Sequence, residues 1–89
     1  MTTVIIHHEV RDYDHWKNAF DAAARMRREA GELDASLYRD ADNPSIVSGV
    51  FRWKDASSAR AFFTGDELKS TMADAGVVGN PSIHLVQES

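Results

Sequence analysis

The chain has no cysteine and only two prolines among its 89 residues. Without cysteine there is no disulfide, no thiolate metal ligand and no cysteine nucleophile, and nothing marks an oxidising compartment. Positive charge is also scarce. Ten Lys and Arg stand against fourteen Asp and Glu, a net charge of −4, with no basic run or aromatic-interleaved basic patch, which argues against nucleic acid as a partner. Long hydrophobic runs are missing as well. The opening stretch MTTVIIHHEV has three large apolar residues in succession and no basic segment ahead of them, too little for a signal peptide or a membrane span. A soluble cytoplasmic protein with no membrane partner is the expectation. Phosphate-binding and triad signatures are absent: GVVGNP has its glycines at the wrong spacing and no lysine, and DADNP lacks the glycine and closing glutamate of a calcium loop.

What remains is 43% hydrophobic, enough for one domain over residues 1–89 with a modest core. TTVIIHHEV is β-branched and reads as a strand ending near Val10. From Asp12 the period changes to three and four, through Tyr13, Trp16, Phe20, Ala23, Arg27 and Ala30, so residues 12–30 read as one amphipathic helix stopped by Gly31. LDASLYRD and IVSGVFRW form a hairpin around the turn formers of ADNPS. Asp55 caps a second helical stretch punctuated at Gly65 and closed by Gly76. VVGNP reads as a loop and SIHLVQ as a final short strand.

The order βαββαβ is ferredoxin-like: α+β, with a four-stranded antiparallel sheet and both helical stretches on one face. The other face needs a cover, because the strands carry apolar residues in both parities, Val4 and Ile6 against Ile5, Val47 and Phe51 against Ile46 and Val50. Sheet-to-sheet pairing of two copies buries it at least cost.

Three features carry chemistry. Arg27 falls on the apolar stripe of the first helix, where it either snorkels outward or points a guanidinium into a space between helix and sheet. His7 and His8 are strand neighbours and face opposite ways. One of them faces the helices, and His84 on the last strand lies close by, in a register the sequence leaves open. These are either hydrogen-bonded or interface histidines, or a base or donor at a site. Tyr13, Trp16, Phe20, Phe51, Trp53, Phe62, Phe63 and Met72 are core residues by pattern, and the same wall can enclose an apolar cavity for a flat ligand. No spacing of metal-ligand quality is present, so no metal is expected.

On HHEVRDYDHWKNAFD, DADNPSIV, FRWKDASSARAFF and ELKSTMADAGVVGNP the chain resembles the dimeric α+β barrel superfamily, and within it the small cyclase-like and antibiotic-biosynthesis-monooxygenase-like proteins. The matched positions are His8, Val10, Asp12, Tyr13 and Trp16 at the start of the first helix, and Met72, Ala75, Gly76, Val77, Gly79 and Pro81 towards the end. The resemblance implies a homodimer whose sheets close into a barrel, with a cavity for a small hydrophobic or aromatic ligand in each subunit. It also implies oxygenation or cyclisation without a cofactor. On that reading His8 is base or donor, Tyr13 its hydrogen-bond partner and Arg27 the group that stabilises negative charge, with Trp16, Phe20, Phe51, Trp53, Phe62, Met72 and His84 around the ligand. The alternative is a non-catalytic dimeric ligand-binding or stress-related module.

Overall fold

The structure, a computed structural model, describes residues Met1–Ser89. Its elements run β1 (Thr2–Val10), α1 (Tyr13–Ala22), α2 (Ala24–Ala30), β2 (Glu32–Arg39), β3 (Ile46–Trp53), α3 (Ala56–Phe63), α4 (Asp66–Asp74) and β4 (Val77–Val86). The sheet order is β2-β3-β1-β4, all antiparallel. This is the ferredoxin-like sheet expected from the sequence, with each helical stretch built of two short helices. No helix is long and apolar enough to cross a membrane.

Paired residues share a face, so the register sorts the strands into two sides. Val4 opposite Phe51, Ile6 opposite Gly49 and His8 opposite Val47 form the side under the helices. There Val4, Ile6, Phe51, Trp53, Ala59 and Phe63 make one buried cluster, and Val10, Trp16, Val47 and Ala75 a second. Ile5 opposite Val50, with Ile46, Val78 and Val86, forms the other side, which no element of this chain covers. The first side is a core of close-packed aromatics, Trp53 meeting Phe62 at 5.2 Å and Phe63 at 5.0 Å between ring centroids.

The single helix over 12–30 is corrected to two. Asp12 caps α1 by accepting from the His15 N–H, but the helix stops at Ala22. Arg27 provides the reason. Its Nη1 donates to the Phe20 carbonyl at 2.6 Å, an acceptor that an unbroken helix would use for its own ladder. Ala23 closes α1 by donating to Ala19 and Phe20. An arginine from the following turn therefore caps the helix before it, and α2 restarts after Ala23. Gly31, with φ of 129°, ends α2 as the sequence predicts. A Cβ there would sit 2.7 Å from Trp53 Nε1, and the indole donates to the Ala30 carbonyl at 3.2 Å.

VVGNP is not a loop but the first half of β4. His7 pairs with Ser82 and Glu9 with Val78, so Gly79, Asn80 and Pro81 bulge opposite His8 alone. The bulge is where a strand tolerates proline, since no ladder donor is needed. A second bulge lies at the start of β2, where Glu32 pairs with Trp53 and Asp34 with Arg52, leaving Leu33 unpaired. The β2–β3 turn follows the sequence reading: Asp40 accepts from the Asp42 and Asn43 N–H groups, and Asn43 from Ser45.

Candidate functional site

A cavity of about 60 Å³ lies between the sheet and the helices. Its floor is Ile6, His8 and Phe51; Trp16 and Phe20 close one side, and Met72 and Phe62 another. The period of β1 puts His8 on this side and His7 on the other, so the opposed facing of the two histidines holds. His7 is exposed and its Nδ1 lies 2.6 Å from Ser48 Oγ.

His8 is the anomaly of the site. Its ring meets Trp16 edge to face, centroids 5.3 Å apart, and both of its nitrogens are buried without a hydrogen-bond partner in the protein. Burial, and then the neighbouring His7 charge, hold its pKa below the usual 6.5, so the ring is kept neutral: one nitrogen a donor, the other an acceptor. A buried polar atom left unpaired costs about 1–3 kcal/mol. Such a group in an otherwise apolar cavity marks a place where a ligand can supply both missing bonds.

Arg27 also lines the cavity and is buried, 7% exposed, which excludes the snorkelling orientation. Its guanidinium is engaged, with Nε donating to Glu32 Oε2 at 2.6 Å and Nη1 to the Phe20 carbonyl. The guanidinium carbon sits 3.6 Å above the centre of the Phe20 ring, a cation–π contact that fixes this wall.

Seven of the residues expected around a ligand thus come together: His8, Trp16, Phe20, Arg27, Phe51, Phe62 and Met72. Three do not. Tyr13 lies outside the lining, its ring covered by the Arg39 guanidinium at 3.8 Å. Trp53 is wholly buried, its indole turned to the Ala30 carbonyl. His84 pairs with Ile5 rather than a helix-facing residue, so it stands on the uncovered face with its Nε2 3.0 Å from Ser82 Oγ. The histidine that shares its side is His7, not His8. Ala19, Ala23 and Met26 join the lining with Phe63, Leu68, Thr71 and Ala75; of the three from the first helical stretch only Ala23 stood on the stripe read from the sequence, and Glu32, the partner of Arg27, was not foreseen. No group of three or more His, Asp or Glu comes together as a metal site.

No known protein family and no curated protein matches the chain. Solved structures do. A protein from Bordetella bronchiseptica, named as an antibiotic biosynthesis monooxygenase, superposes with a TM-score of 0.80 at 15% identity, over 99% of this chain and 96% of that one. One from Caulobacter crescentus, named likewise, gives 0.76 at 17%, over 99% and 89%. SnoaB, a cofactor-independent oxygenase from Streptomyces nogalater, gives 0.73 at 13%, over 99% and 94%. The fold is that of the antibiotic biosynthesis monooxygenase structures. The likeness runs nearly the length of the chain.

Proposed function

We propose that the chain acts as a homodimer which binds a small, flat aromatic or polyketide-like compound in the His8 cavity and oxygenates or cyclises it without a cofactor. The observation that carries this is the neutral, unpartnered His8 ring in an apolar chamber. A substrate hydroxyl would donate to the unprotonated nitrogen, and His8 would take its proton as general base. For an electron-rich phenol with a free para position, the phenolate then reduces O2 by one electron and the two radicals join at the para carbon. Loss of water leaves the quinone. The sum is phenol plus O2 to quinone plus water. Cyclisation uses the same proton transfer, to generate an enolate that attacks a carbonyl of the same molecule.

The chamber is smaller than the roughly 300–1,000 Å³ of pockets for drug-sized ligands, so a multi-ring substrate requires Met26 and Met72 to swing aside, which unbranched thioether side chains do readily. A second copy is assigned to the uncovered face because Ile5, Ile46, Val50, Val78 and Val86 gather there, and their burial is worth roughly 25 cal/mol per Å². Tyr13 stands outside the cavity and leaves His8 without the hydrogen-bond partner expected of it, which favours a second reading, a binding module without turnover. Oxygen uptake or product formation with a panel of hydroxy-aromatic and polyketide-like compounds decides between them: turnover abolished in His8→Leu is expected, whereas tight binding with neither uptake nor product on any compound leaves the binding module.

A further inference from the structure

We infer that Glu32 sets which charge the cavity admits: by cancelling Arg27 it makes the chamber a receptor for neutral hydroxyl compounds and closes it to carboxylates. The inference rests on the reading of the cavity as a ligand site. Arg27 is the one formally charged side chain in the lining. Left alone, a buried guanidinium facing an apolar chamber would seek an anion, and a ligand carboxylate would satisfy its fork. Glu32 holds that position instead. Its carboxylate reaches Arg27 Nε at 2.6 Å, and both side chains are over nine-tenths buried.

The backbone is built to put Glu32 there. In a regular strand Glu32 and Asp34 would share a face, and Asp34 lies on the uncovered face, its Oδ1 3.2 Å from Arg52 Nη1. The unpaired Leu33 breaks that alternation. Glu32 is thereby turned to the helix side opposite Trp53, and the strand start is pinned by the Lys54 N–H bonded to the Gly31 carbonyl at 3.0 Å. A bulge that re-aims one side chain beside a cavity is a known use of the device. Leu33 accepts high exposure, 59%, as the consequence. Glu32 touches Arg27 rather than the chamber, so it is a positioning residue that acts through the arginine.

The probes are p-cresol and benzoate, matched in size and differing in charge, titrated into the full chain at neutral pH and followed by amide and methyl chemical shifts around the cavity. The wild type is expected to bind p-cresol at least about tenfold more tightly than benzoate. Glu32→Gln removes the countercharge and should raise benzoate affinity at least about tenfold, with p-cresol within about threefold of the wild type. Glu32→Asp should keep the wild-type order. If the wild type binds the two probes equally, the inference is overturned, and this comparison needs no variant to fold. If p-cresol binds and Glu32→Gln leaves the ratio unchanged, Glu32 has no such role while the ligand cavity stands. If neither probe shifts the cavity resonances, the cavity is not a ligand site and the inference falls with it.

Discussion

The Phe51 ring lies across the bare Cα of Gly49 on the same strand, so close that a Cβ added to Gly49 would stand 2.6 Å from Phe51 Cε2 and 2.8 Å from Cζ. Glycine here has no need of an unusual backbone angle; it clears the floor for an aromatic ring. Gly49→Ala should therefore overpack the sheet side of the core and cost about 1–3 kcal/mol. For a domain of this size that lowers Tm by about 4–8 °C per kcal/mol. A thermal melt checks it, and an unchanged Tm would mean that the ring turns aside freely.

His8 makes stability depend on pH. Its folded pKa is depressed, so the unfolded chain binds the proton more readily. The fold is at full strength above the ordinary value of about 6.5 and weakens as pH falls from there towards the depressed one. Urea unfolding at about pH 7.5 and pH 5.5 should show a larger loss in the wild type than in His8→Leu. At the higher pH the leucine variant should be the more stable, by about 1 kcal/mol or more, because two buried unpaired nitrogens are gone. A variant less stable at both pH values would show that the nitrogens are satisfied.

The uncovered sheet face predicts self-association. Light scattering at micromolar concentration should give twice the chain mass of 9.9 kDa. Val50→Asp puts a charge in the middle of that face, opposite Ile5, and should shift the particle to the monomer. A wild type that stays monomeric while well folded removes the barrel.

Filling the cavity should separate binding from folding. Ala19 is half-buried in the lining, and Ala19→Leu adds a branched side chain to a space of about 60 Å³. Binding of small phenols, followed by calorimetry, should weaken at least tenfold, a loss of about 1.4 kcal/mol, while the variant remains a dimer. Undiminished binding would place the ligand elsewhere.

The element order, the hairpin turn and the opposed facing of His7 and His8 were legible because each depends on local chemistry: strand alternation, Asp and Asn side chains that bond their own backbone, glycine after a helix. The position of Arg27 on the apolar stripe was legible for the same reason. Its partner was not. Glu32 reaches the arginine through a one-residue slip at Leu33, and nothing in ELDASLYR distinguishes a bulged strand from a regular one. The strand alternation of β4 was hidden likewise, since Gly79 and Pro81 look like a loop until Gly79, Asn80 and Pro81 are seen to stand opposite a single residue. Tyr13 misled because it keeps the helical period yet finds Arg39, a partner from β2 that periodicity cannot reveal.

The sheet order also governs the timing of assembly. β1, the first strand to be synthesised, is hydrogen-bonded on one flank to β4, the last. Until residues 77–86 are made, the row Thr3 to His7 offers a bare edge of donors and acceptors beside Ile5 and Ile6, the kind of surface that recruits strands from other chains. The nascent chain can form its β2–β3 hairpin early, but the flank beside His8 closes only at the end, through contacts of long sequence separation that slow folding.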